Sequence, residues 1–152
     1  MKKSLAMLLL GLGLFAVSVP AQAAAGSAVL EEQYKSALNR IVQEVRQAPG
    51  PAEKRAVLGH FVTGMRDGLQ RAEGMASPQS QDRAALQILS GKFSGYAAEL
   101  DGMGGYVRVA DADLDAYAGF IQQSMEQAPL GGGVYLSGTA LIIILLLLIF
   151  LL

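Results

Sequence analysis

The chain predicts an all-α fold: a small antiparallel bundle of about four amphipathic helices, plus one C-terminal transmembrane helix. Three observations predict it. Apolar residues recur at spacings of three and four through successive segments, clusters of Pro and Gly separate those segments, and residues 134–152 form an almost unbroken apolar run. No convincing period-2 alternation marks a strand. Each helix offers a single apolar stripe, so the stripes must bury one another.

The first element is a leader. Lys2 and Lys3 form a basic start, Leu5 to Val19 an apolar stretch, and Pro20-Ala21-Gln22-Ala23 a small-residue site of A-x-A type. Residues 1–23 therefore read as a secretory signal peptide cleaved after Ala23, with an uncleaved N-terminal anchor as the alternative. No Cys follows the site, so no lipid-modified N-terminus is expected.

The exported domain, residues 24–130, opens with a helix over Ala28 to Gln47. Its stripe is Leu30, Tyr34, Ala37, Leu38, Ile41, Val45 and Ala48, with Ser27 as N-cap and Glu31 one turn from Lys35. Pro49-Gly50-Pro51 ends it. The second helix starts at Pro51, a favoured first-turn residue, and runs to about Glu73. Val57, Leu58, Phe61, Val62, Met65, Leu69 and Ala72 make its stripe. Gly68 lies beside that stripe, where a close approach is possible, whereas Gly64 falls on the polar side and reads as plain weakening.

Ser77-Pro78 has the order of a cap and first-turn proline for the third helix, whose stripe is Ala85, Leu86, Leu89, Phe93, Tyr96, Ala97 and Leu100. Asp101-Gly102-Met103-Gly104-Gly105 breaks it. A short extended piece, Tyr106 to Val109, leads to the fourth helix over Ala112 to Ala128, with Leu114, Tyr117, Ala118, Ile121, Met125 and Ala128 inward. Pro129 stops it, Gly131 to Gly133 form a flexible joint, and residues 134–152 follow as the membrane helix. At about 1.5 Å per residue that run just crosses a hydrocarbon layer of roughly 30 Å.

Composition excludes several function classes. The chain carries 12 Lys and Arg against 13 Asp and Glu, two of those lysines in the leader, and no basic block. Nucleic acid and anionic headgroups are therefore not expected partners. Cysteine is absent, which removes disulfides, thiolate chemistry and zinc–thiolate sites together. A bridge-free exported domain rich in Ala, Gly and Arg suggests a bacterial periplasm.

The chemistry-bearing residues read as structural. His60 is the single histidine, and an i, i+4 metal-binding pair needs two; it is expected on the solvated face of the second helix. Asp111-Ala112-Asp113-Leu114-Asp115 resembles the opening of an EF-hand calcium loop, but Ala116 and Gln122 stand where that loop needs Gly and Glu. Asp111 is instead expected to cap the fourth helix, with Asp113 and Asp115 favourably placed in its first turn. Whether the three carboxylates bind a cation stays open. No nucleophile elbow, phosphate loop or paired catalytic carboxylates are present. No catalytic, cofactor-binding or metal residue is assigned, and a non-enzyme is expected.

Gly131 to Leu152 also resembles bacterial C-terminal sorting tails, including the Gly-Gly kind cleaved by rhomboid-type proteases, although the terminal basic cluster of such tails is missing. That resemblance implies a surface protein whose tail is removed. In a eukaryote, small residues near Ser124 to Ala128 would suit a lipid-anchor signal. The reading preferred here is a single-pass protein of the bacterial inner membrane with its soluble domain in the periplasm. The bilayer would be its partner through Val134 to Leu152. An envelope protein would bind a helix face, with Ile88 and Phe120, both off their stripes, as candidate contacts. A tail that oligomerises is the alternative.

Overall fold

The computed structural model describes residues 19–127 and 137–151. Five helices make up the described fold: α1 (Val19–Gln47), α2 (Pro51–Met75), α3 (Gln81–Asp101), α4 (Leu114–Gln127) and α5 (Gly138–Leu151), with a 3-10 turn at Asp111–Asp113 leading into α4. No strand occurs among the described residues, so the piece expected over Tyr106 to Val109 is a loop. Helix α2 is central and packs against each of the others, while α1 also meets α4 and α5.

The stripes read from the sequence form the core, except for Ala48, which is only half-buried, and Ala128, which lies outside the described residues. Tyr34, Leu38, Leu58, Phe61, Met65, Leu69, Leu86, Leu89, Phe93, Leu100, Leu114 and Ile121 are its largest fully buried side chains. Val42 and Ser90 join them; the Ser90 hydroxyl donates to the Gln87 carbonyl at 3.1 Å, so its burial leaves no unpaired donor. Tyr34 ties α1 to α4 by donating its hydroxyl to the Met125 carbonyl at 2.8 Å. Desolvation of that hydroxyl, with the Glu126 charge adding to it, pushes its pKa well above the ordinary value, so it stays a donor. Glu31 and Lys35 pair at 2.8 Å on the exposed face of α1.

Helix ends differ from the sequence expectation in three places. Helix α1 is already formed at Val19, so Ser27 lies inside it rather than capping it. Ala21 and Ala23 to Ala25 explain this, because Ala is the strongest helix former. Ser80, not Ser77, caps α3: its Oγ accepts the Arg83 amide at 3.2 Å. Pro78 sits in the preceding turn, closed by the Ser80 amide on the Ser77 carbonyl at 3.0 Å. Asp111 also does not cap α4, as described below. The α3 stop is as expected: Gly102 takes a left-handed φ of 71°, and the Met103 amide reaches the Ala98 carbonyl at 2.8 Å.

The C-terminal segment is the largest difference. Among the described residues, no helix is long and apolar enough to cross a membrane. Helix α5 has 14 residues, so it extends about 21 Å against a hydrocarbon layer of roughly 30 Å. It lies against α1 and α2, burying Ile144, Leu145 and Leu148 in the common core. The expected membrane helix over 134–152 is thus a shorter helix docked on the bundle; residues 134–136 and Leu152 lie outside the described residues, as do most of the leader and the joint at 131–133.

Phe93 is fully buried and packs edge-to-face on Phe61 and Tyr96, with ring centroids 5.8 and 5.5 Å away. Phe93→Ala should destabilise the bundle by roughly 3–5 kcal/mol in urea unfolding. A loss below about 1 kcal/mol would mean the core is not built around this ring.

Candidate functional site

The residues singled out in the sequence fall into separate regions. His60 is exposed on the outer face of α2. Among the described residues, no group of three or more His, Asp or Glu side chains is placed to hold a metal ion. The aspartates of the 111–115 stretch diverge. Asp111 Oδ1 accepts from Arg55 Nη2 at 2.8 Å, and Asp115 is held by Lys54 Nζ at 2.6 Å. Both cations are neighbours on α2, and both are more buried than the carboxylates they hold.

Arg55 is the organising side chain of this end. Beyond Asp111, its guanidinium donates to the Val109 carbonyl at 2.7 Å and to the Leu100 carbonyl at the end of α3. One planar fork therefore joins α2, the end of α3, the connecting loop and the entry to α4. Gly102 lets the loop fold back, since a β-carbon there would stand 2.8 Å from Arg108 Cβ. The Arg55 hydrogen bond and charge hold the Asp111 carboxyl below its ordinary range. Asp111 is spent on this cross-tie, which is why it does not act as a cap.

A second region is an aromatic ladder that runs from the core to the surface. It continues from Phe93 to Tyr96, then to Tyr117 and Phe120 at centroid distances of 6.5 and 6.0 Å, and those last two rings stack at 6.1 Å. Tyr117 donates to the Tyr96 carbonyl and to Glu99 Oε2 at 3.0 and 2.9 Å, and Tyr96 pairs with Ser124 at 2.6 Å. Partial burial and the adjacent Glu99 carboxylate raise the Tyr117 pKa above its ordinary value. Phe120 ends the ladder half in solvent, at 51% exposure, and Ile88 on α3 is similarly open at 47%. Both were expected as exposed apolar contacts.

The third region is the seat of α5: the close approach expected at Gly68 occurs there, whereas its occupant and the part played by Gly64 were not evident in the sequence. A β-carbon at Gly68 would stand 2.4 Å from Leu147 Cδ2, and one at Gly64 would meet Leu151 in the same way. Two glycines one turn apart thus receive two leucines one turn apart, with α5 antiparallel to α2. Gly64 is therefore part of a close contact and not mere weakening. Each glycine costs α2 about 1 kcal/mol, while Leu147 and Leu151, both partly buried against the core, return part of the roughly 1.5–3 kcal/mol that full burial of a leucine gives. That return exists only when α5 is in place.

The seat is incomplete at its margins. A cleft of about 310 Å³ lies between α2 and α5, lined by Gly68, Arg71, Met75, Leu146, Leu147 and Phe150 among others. A second of about 360 Å³ lies between α1 and α5, lined by Gln33, Ser36, Ala37, Arg40 and Ile149. The outer face of α5 stays apolar and wet: Ile142, Leu146, Ile149 and Phe150 are exposed, the last at 93%.

No family model matches the chain, and no curated protein or solved structure shows significant similarity to it.

Removing the Arg55 fork should unfasten one end of the bundle. Arg55→Met leaves two carbonyls without their donor, and a loss of about 2–4 kcal/mol is expected in chemical denaturation. The Asp111 contribution should follow pH. Its pKa is lowered by folding, so its support is complete above the ordinary carboxylate value and is lost as pH falls through the lower folded value. The Tm difference between the natural protein and Asp111→Asn should therefore close as the solution is acidified; a difference constant with pH would exclude the ion pair as its source.

Proposed function

We propose that this chain is an exported, membrane-held helical bundle without enzymatic activity, which binds an envelope protein through the surface formed by α3 and α4. The supporting observation for membrane contact is α5 itself. From Leu141 to Leu151 it has no polar side chain on any face, so docking hides one apolar side and leaves Ile142, Leu146, Ile149 and Phe150 in water. Lipid satisfies both sides at once. The leader over residues 1–23 supplies export, residues 134–152 supply the single anchor, and the bundle faces the periplasm.

Two observations support a binding role over catalysis. Asp111 and Asp115 are held in cross-bundle pairs by Arg55 and Lys54, which leaves them poorly suited to acid–base work. The aromatic ladder instead brings a supported, half-exposed ring, Phe120, to the surface. An aromatic side chain backed by rigid neighbours is the kind of anchor that carries interface energy.

A second reading takes its support from the spacing of Ile142, Leu146 and Ile149, which places them on one exposed stripe of α5. There the tail would associate with the tail of another copy. Exchange of residues 134–152 for an unrelated apolar helix separates the two readings, since a partner-binding module keeps its activity and a tail-driven assembly loses it.

The mature protein recovered from bacterial membranes should lack residues 1–23 and retain Leu152 by intact mass, and it should resist alkaline extraction. Recovery in the soluble periplasmic fraction, or loss of the tail, would refute the anchor. A photo-crosslinking residue at Phe120 should give a discrete protein adduct in intact cells, while one at exposed Gln43 should not. Identical patterns at the two positions would remove the α3–α4 surface from the account.

A further inference from the structure

The groove between α1 and α2 receives an apolar helix through shape alone. Its floor contains Gly64 and Gly68, where β-carbons would overlap Leu151 and Leu147. No side chain between Leu141 and Leu151 can form a hydrogen bond or an ion pair, so this stretch of α5 can leave without breaking any polar side-chain contact of its own. Clefts of about 310 and 360 Å³ flank it on both sides. The part of α5 that faces outward is as apolar as the part that faces inward.

We propose that this groove is a binding site for an apolar helix, with α5 of the same chain as its resident and the bilayer as its competitor. In water α5 is seated against Gly64 and Gly68; at a lipid surface it exchanges its half-covered state for complete burial in hydrocarbon. The groove thereby keeps half of a membrane-seeking segment covered until lipid is met. The argument for exchange is one of differential burial: lipid covers Ile142, Leu146, Ile149 and Phe150, which the groove leaves exposed. This inference rests on the membrane reading above and goes beyond it by assigning the α1–α2 groove a role.

The chain has no cysteine, so introduced pairs report docking without interference. A β-carbon at Gly68 would lie 3.2 Å from Leu147 Cγ, which brings Gly68→Cys and Leu147→Cys within disulfide reach. In the full chain, oxidation in buffer should form this bond efficiently. Phosphatidylcholine vesicles added before oxidation should lower its yield by roughly tenfold, because lipid draws on the undocked form. No disulfide in buffer would overturn the seat, and a yield unchanged by saturating vesicles would overturn the exchange. Phe150→Cys carrying an environment-sensitive dye distinguishes the causes in a separate sample. A blue shift with vesicles alongside an undiminished disulfide means that lipid touches α5 while it stays docked, which rejects the exchange and leaves the membrane reading standing. No shift at all rejects both.

Discussion

Helix α2 has to meet four neighbours, and its sequence is divided among them. Leu58, Phe61, Val62, Met65 and Leu69 supply the buried stripe. Lys54 and Arg55 reach the entry to α4 at its beginning. Gly64 and Gly68 form a third, narrow strip on which α5 rests. With no cysteine in the chain, nothing covalent relieves this helix of its load. The two glycines weaken the element on which the bundle depends, and the contact with Leu147 and Leu151 offsets that weakness.

Much of the core could be read directly because burial in a helical bundle follows the helix period. Every residue assigned inward on α2 and α3 is buried or packed against the core, and Ile88 and Phe120 emerge where the period leaves them. Features set by tertiary contact could not be read so easily. Arg55 looks like any surface arginine until the fold brings to it the Leu100 carbonyl from the end of α3, the Val109 carbonyl from the loop, and Asp111. Ser77 followed by Pro78 has the local signature of a cap, yet Ser77 and Pro78 are used in a turn closed by the Ser80 amide, and Ser80 caps the helix on the Arg83 amide. Gly64 falls on the polar side of the α2 stripe, so its purpose becomes visible only once α5 is a second docking partner.

The tail shows why an apolar run does not by itself determine an environment. The length and apolar composition of residues 134–152 suit a bilayer, yet α5 buries Ile144, Leu145 and Leu148 on protein. The two placements share the same chemistry, since the contact with α1 and α2 is apolar packing without polar selection. What differs is coverage. Protein satisfies one face of α5, and a membrane satisfies all of them.

The seat of the tail on glycine is the central claim, and it has a direct spectroscopic measure. In the methyl-labelled full chain in lipid-free buffer, the α-protons of Gly68 and Gly64 should show strong nuclear Overhauser contacts to the Leu147 and Leu151 methyls, respectively. Contacts confined to one pair would mean a shifted register. The absence of both, with the α2–α3 core contacts of Phe61 and Phe93 intact, would contradict the account.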